Sequence, residues 1–244
     1  MGEIFEQQMR GELGQLGISL TDHQLRQFYR YYELLIRQNQ VMNLTAITEE
    51  SEVVTKHFVD SLSLIKVYPE LRQESDLSLI DVGTGAGFPG IPLGIAFPAC
   101  HVTLLDSLNK RVKFLQQVAD ELNLGQIKAI HGRAEDLGHF PEYREQYALC
   151  VSRAVANLST LSEYCLPFVK VGGTFISYKS GNVEGEVKDA SYAISQLGGK
   201  LESVYAFSLP GTEMKRSFIV IRKVKNLQKK YPRKAGLPGK VPLH

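Results

Sequence analysis

The run Asp81-Val82-Gly83-Thr84-Gly85-Ala86-Gly87 closes a short apolar stretch, Leu77 to Val82. Glycines at alternate positions let the backbone turn tightly and approach a ligand that any Cβ would hold off. Two acids frame this loop. Asp81 stands at its start, where a carboxylate can bind the ammonium of a methionine moiety, directly or through water. Asp106 ends the next apolar stretch, 21 residues beyond Gly85, a spacing that suits a carboxylate accepting hydrogen bonds from both hydroxyls of a ribose. Gly85, Gly87 and Gly90 also satisfy G-x-G-x-x-G, a dinucleotide signature that is weak on its own. Asp81 would repel a pyrophosphate and hold a cationic amino acid. Pro89 and Pro92 crowd the helix start, where N–H groups would have to face phosphate. The acids therefore favour S-adenosylmethionine over NAD.

Such a loop needs a strand before it and a helix after it. Leu77 to Val82 reads as the strand and Phe88 to Phe97 as the helix. Strands follow at His101 to Asp106, Ile127 to His131, Tyr147 to Val151 and Gly173 to Tyr178. Helical stripes occupy Asn109 to Leu122, Leu158 to Leu166 and Val183 to Leu197. Two final strands, about Lys200 to Leu209 and Ser217 to Val224, are joined at Pro210-Gly211 and must be antiparallel, because parallel neighbours need a long crossover. Strands alternating with helices imply a doubly wound sheet. The expected fold is α/β, of the class I S-adenosylmethionine-dependent methyltransferase type: Rossmann-like, with a mostly parallel seven-stranded sheet and an antiparallel last strand. Residues 1–72 read as an N-terminal helical subdomain packed on the core, 73–225 as the methyltransferase domain and 226–244 as a basic tail. In the first part, Thr21 to Gln24 has capping-box spacing before Leu25, Phe28, Tyr32 and Leu35, and the pattern breaks over Asn39 to Leu44. A second helix, about Glu50 to Val67, carries Val53, Val54, Phe58, Leu62 and Ile65 on its apolar face.

The acceptor is narrowed by the tip of the fourth strand, Ser152-Arg153-Ala154-Val155-Ala156. It lacks the Asp/Asn-Pro-Pro-aromatic run that serves exocyclic amines. Cys150 lies inside the strand, short of the place where a nucleophile for pyrimidine carbon 5 would stand. An acceptor with its own lone pair, such as guanine N7, needs alignment and no general base or nucleophile; sequence alone leaves N7 and a ribose oxygen open. Candidate guanine- or RNA-facing groups are His57, Asp60 and Ser61, which share a helical face at i, i+3 and i+4, with Asn43 in the loop before them. The same stripe suits a solvated face. Lys179 and Arg133 are placed to pair with phosphate, and His101 and His131 read as structural.

Charge points the same way. The chain carries 28 Lys and Arg against 26 Asp and Glu, yet Arg222 to His244 holds eight cations and no acid, leaving 20 basic against 26 acidic residues elsewhere. A local cationic patch suits a polyphosphate. The three cysteines, Cys100, Cys150 and Cys165, have no ligand-like spacing, so no metal site is expected. With no long apolar run and no apolar leader over Met1 to Arg10, a cytoplasmic monomer without a membrane or an obligate protein partner is expected.

The runs Asn43 to Ile47, Asp81 to Leu93, Leu105-Asp106-Ser107 through Lys110-Arg111, Gly132 to Glu135, Ser152-Arg153-Ala154 and Tyr231 to Lys234 together resemble RsmG (also GidB), the bacterial small-subunit ribosomal RNA guanine-N7 methyltransferase family. The resemblance covers nearly the whole chain. It implies methyl transfer to the guanine conventionally numbered 527, in the 530 loop of 16S rRNA, on the small ribosomal subunit or its RNA. It also implies cofactor contacts at Gly83, Phe88, Ala134, Glu135 and Arg153, beside the Asp81, Gly85 and Asp106 read from the loop itself. Small-molecule or protein methylation, and a silent RNA-binding module on the same fold, are the competing classes. Titration calorimetry on the purified chain should detect S-adenosylmethionine binding and no NAD binding; the reverse result would return the loop to the dinucleotide reading.

Overall fold

The computed structural model describes residues 2–73, 76–153 and 156–244, so Ala154 and Val155 at the fourth strand's tip, and Met1, lie outside the described residues. Among the described residues, seven strands form one sheet: β1 (Leu77–Val82), β2 (Cys100–Asp106), β3 (Ile127–His131), β4 (Tyr147–Ser152), β5 (Val169–Ser180), β6 (Gly199–Ser208) and β7 (Lys215–Lys223). Their order is β3-β2-β1-β4-β5-β7-β6. The first five run parallel, and β7 is antiparallel to both β5 and β6. The chain order reverses between β1 and β4, which opens a crevice at their carboxyl ends, where ligands of such sheets bind. β5 begins four residues before the expected Gly173. Its Gly172, at φ 84, lies within the strand, beside the pairing shift between Tyr147 and Leu149, and glycines there hide a strand from a propensity reading.

The helices are α1 (Glu3–Gly14), α2 (Asp22–Met42), α3 (Glu50–Val53), α4 (Asp60–Leu62), α5 (Gly90–Ala96), α6 (Asn109–Glu121), α7 (Ala134–Leu137), α8 (Leu158–Cys165), α9 (Glu184–Gln196) and α10 (Leu237–Lys240). Thr21 caps α2 by accepting from Gln24 N, while Gln24 Oε1 accepts from Thr21 N. The helix continues through Asn39, where a break was expected. The Asn39 side chain exchanges two hydrogen bonds with the Thr45 backbone, and the helix stops only at Asn43, in the left-handed region at φ 47. Tyr31, not Tyr32, takes the buried position and donates to Ala86 O at 2.6 Å in the glycine loop.

Between α3 and α4 the expected continuous helix contains a π-helical segment, Val54–Val59, and after α4 it tightens to a 3-10 stretch, Ser63–Lys66. Its five predicted apolar residues are all buried. They join α1, α2, α5 and α6 in the core covering one face of the sheet. Helices α8 and α9 fill the other face with Leu158, Leu161, Ala190 and Ile194. The N-terminal helices are thus one layer of a three-layer sandwich.

The basic segment after β7 is docked, not solvated. Leu227 and Tyr231 are buried, and Arg144 donates to the carbonyls of Gly138, Leu227, Gln228 and Tyr231. Arg233 forks onto the fully buried Glu163, with contacts of 2.7 to 3.0 Å. Lys223 is wholly buried, donating to Leu166 O at 2.8 Å and facing Glu145 at 3.3 Å, and burial lowers its pKa to about 8. Arg222 pairs with Glu202. Of the eight cations, Lys225, Lys229, Lys230, Lys234 and Lys240 stay exposed. Replacing Arg233 with Ala strands the Glu163 carboxylate, and urea unfolding should register a loss of about 3–5 kcal/mol; a loss under about 1 kcal/mol would mean that Glu163 does not need its partner.

Candidate active site at the carboxyl ends of β1, β2 and β4

The loop after β1 is held from below. Gly83, Gly85 and Gly87 take φ of 73, 63 and 108, which favour glycine. Asp81 is fully buried, and its Oδ2 accepts from Thr84 Oγ1 at 2.7 Å and Gly90 N at 2.9 Å. A Cβ on Gly90 would collide with Leu104 and press on that carboxylate. Burial raises the Asp81 pKa to about 6, against the opposing pull of the Thr84 and Gly90 hydrogen bonds. The carboxylate expected to meet a ligand's ammonium thus braces the loop through Oδ2 and leaves Oδ1 unpartnered among the described residues, and Asp81 is not among the residues that line the adjoining cavity.

That cavity, of about 380 Å³, lies over β1 and β2 and is lined by Gly83, Asp106, Leu108, Ala134, Glu135 and Leu161, among others. Asp106 is 3% exposed, with Oδ2 accepting from Gly85 N at 3.0 Å and Oδ1 from Leu108 N at 2.8 Å; Arg111 stands 3.4 Å away. A carboxylate offers about four lone-pair sites, so acceptor capacity remains at the cavity wall. Glycine floor, apolar walls and a carboxylate at the strand end fit an adenosyl group, and the volume lies within the range of small-ligand sites. Glu135 also lines the cavity, but its Oε1 accepts from Gly236 N at 2.7 Å. Its carboxylate thus clamps the C-terminal segment, and Gly236 itself becomes part of the wall. Gly85 contributes its N–H to Asp106 and does not line the cavity.

A second cleft, of about 650 Å³, is lined by Lys56, His57, Asp60, Arg153, Lys179 and Arg216, with Tyr178, Asn157 and Glu186. At its centre the buried Asp60 accepts from Arg153 NH1 at 2.9 Å and Arg216 Nε at 3.0 Å. Arg153 NH2 also lies 3.3 Å from His57 Nδ1, and His57 Nε2 lies 2.8 Å from Thr45 Oγ1. A guanidinium only donates, so Nδ1 accepts and Nε2 carries the proton. Burial first, and then the Arg153 charge, lower the His57 pKa to about 3, leaving a neutral ring. That ring stacks on Phe88 at 4.4 Å, and the Arg153 guanidinium lies 5.1 Å from the centre of the Phe88 ring. Phe88 therefore backs His57 and Arg153 and does not wall the smaller cavity. Ala156 lines both spaces, so they adjoin beyond the end of β4.

The predicted stripe is neither solvated nor wholly available. His57 and Asp60 reach the cleft, but Ser61 is fully buried and its Oγ donates to His57 O at 2.6 Å. Asn43 is an exposed helix terminus outside the cleft. Lys179 faces the cleft while donating to Ala156 O and pairing with Glu186, both at 2.6 Å. Arg133 is exposed at the rim of the smaller cavity. His131 lies against Ser107 O and His101 pairs with Asp76, and all three cysteines are buried thiols outside any disulfide. Sequence reasoning missed Arg216, which lies 156 residues from Asp60 and carries no local signal of its partner. It also missed Tyr164 and Gly236 in the smaller cavity.

A family model described as rRNA small subunit methyltransferase G matches residues 24–227. The chain belongs to that family. Two relatives carry the same name, Ribosomal RNA small subunit methyltransferase G. That of Lachnoclostridium phytofermentans is 55% identical over 231 residues, 95% of this chain and 94% of the relative. That of Acetivibrio thermocellus is 51% identical over 227 residues, 93% of this chain and 92% of the relative. Among solved structures, M. jannaschii TYW2 in complex with AdoMet superposes with a TM-score of 0.53 at 13% identity, over 68% of this chain and 77% of that one. TrmN from Thermus thermophilus gives 0.51 at 15% identity, over 70% and 53%. These two establish the fold alone. The glycine loop of this chain rests on the buried Asp81. Because its folded pKa lies above the ordinary value, Asp81 binds extra proton in the folded state, and its contribution to stability falls as pH rises from about 4 to 6. His57 titrates with the opposite sign, so the comparison must be between variants. Urea unfolding should show Asp81→Asn gaining roughly 1–3 kcal/mol relative to the parent between pH 4 and pH 7; a pH-independent difference would mean that Asp81 titrates alike in the folded and unfolded chain.

Proposed function

We propose that this chain transfers a methyl group from S-adenosylmethionine to N7 of a guanine in 16S rRNA, guanine 527 of the 530 loop, in the small ribosomal subunit. The observation that carries this reading is that Ala156 lines both spaces, which sets them side by side. A cofactor held over β1 and β2 lies there beside a cleft rich in cations. Gly83, Asp106, Ala134 and Glu135 hold the adenosyl end. When bound, S-adenosylmethionine supplies an electrophilic methyl group.

The cleft supports N7 over a ribose oxygen, because an oxygen acceptor must lose a proton and the candidate bases are engaged. Both His57 nitrogens have partners, and both Asp60 oxygens face guanidinium groups. N7 needs only alignment with the methyl group, which positioning supplies at about 7–11 kcal/mol of advantage. Lys56, Lys179 and Arg216 offer charge to the phosphates around the target, while Asp60 holds Arg153 and Arg216 in place. The protein is read as a cytoplasmic monomer; no helix among the described residues is long and apolar enough to cross a membrane.

Asp60→Ala releases both arginines and should cut kcat/KM for methylation of undermethylated small-subunit particles by on the order of 100-fold, with calorimetric affinity for S-adenosylmethionine within about threefold of the parent. Equal losses in both, or unchanged turnover, would remove Asp60 from acceptor positioning.

A further inference from the structure

A band of aromatic side chains leaves the cationic cleft and runs to the open edge of the sheet. Tyr178 on β5, which lines the cleft, meets Phe218 on β7 edge to face at 4.7 Å. Phe218 stacks on Phe207 of β6 at 5.1 Å, and Phe207 lies against Tyr205 at 5.9 Å. The register explains the band. Tyr178, Phe218 and Tyr205 stand opposite one another across β5, β7 and β6, and Phe207 stands opposite Arg216, so all of them project from one face.

Exposure rises along the band, from the buried Phe218 through the half-buried Phe207 to Tyr205, which is 40% exposed. Cations accompany it. Arg216 begins it in the cleft, and the exposed Lys66 brings its Nζ to 5.6 Å from the Phe207 ring centre. Glu213 is an exposed acid in the adjoining turn. Edge strands are usually protected by charged side chains pointing outward; here the outermost strand presents rings.

We propose that this band is a track for single-stranded RNA flanking the methylated guanine, with bases stacking on Tyr205 and Phe207 and phosphates drawn to Lys66. The proposal rests on the RNA reading of the cleft, with which the band is continuous. Stacking tolerates any base, because every base has a π face, and cations follow the backbone. Bases within a duplex are already stacked, so the track selects unpaired strands.

The test uses the full chain, a fluorescent single-stranded RNA of mixed sequence and about 15 nucleotides, and anisotropy at several salt concentrations. Tyr205→Ala should weaken binding on the order of tenfold without changing the salt slope. Lys66→Ala should reduce the log–log salt slope by about 0.7. Calorimetric affinity for S-adenosylmethionine should stay at the parent value in both. Arg216→Ala, within the cleft, separates the two claims. If it loses RNA affinity while both band variants bind as the parent does, the track is wrong and the cleft reading stands. If all three bind as the parent does, the RNA reading of the cleft fails and the track fails with it. Equal affinity for a duplex of the same length would also overturn the track.

Discussion

Three distant parts of the chain converge on one buried carboxylate. Asp60 comes from the helical segment 50–66, Arg153 from the end of β4 and Arg216 from β7, and the Asp60 side chain is only 6% exposed between them. A buried ion pair contributes little net stability once desolvation is counted, but it restricts the partners to one geometry. Here it fixes the helical layer against β4 and β7, beside the place where the cofactor cavity and the cationic cleft adjoin. Arg153 then hands the constraint on, to the neutral His57 ring and the Phe88 face beneath it.

The two acids of the glycine motif have divided their work. Asp81 sits under the loop and shapes it, and Asp106 stands at the cavity wall with one loop N–H already bound. The C-terminal segment completes the opposite wall. Glu135 holds Gly236, and Glu163 holds Arg233, so a segment rich in lysine borders the cofactor space without being free to sample solvent as a whole. Binding of polyphosphate to its exposed lysines would act on a wall that the cofactor shares.

Much of this was legible in the sequence wherever the information is local. Strands β1 and β3 match their apolar runs residue for residue, the capping box at Thr21 forms as its spacing requires, and the hairpin at Pro210-Gly211 dictates the antiparallel ending. The carboxylates of the loop were found, but not their burial. What stayed hidden depends on partners far along the chain. The π-helical segment is a tertiary choice that no 3.6-residue pattern announces. The basic tail reads as a cationic patch for polyphosphate, and its anchorage shows only when Glu145, Glu163 and Arg144 are brought beside it; Arg233 and Glu163 are 70 residues apart. Ser61 and His57 look alike on a helical wheel, yet only His57 reaches the cleft.

The central claim is that the cofactor space and the cationic cleft act together on one guanine nitrogen. The most direct measurement incubates the purified chain with methyl-labelled S-adenosylmethionine and undermethylated small-subunit particles, followed by nucleoside analysis and mapping of the label. The account predicts a single 7-methylguanosine, within the 530 loop. Label on a ribose oxygen or an exocyclic amine, or no label on the RNA at all, would contradict it.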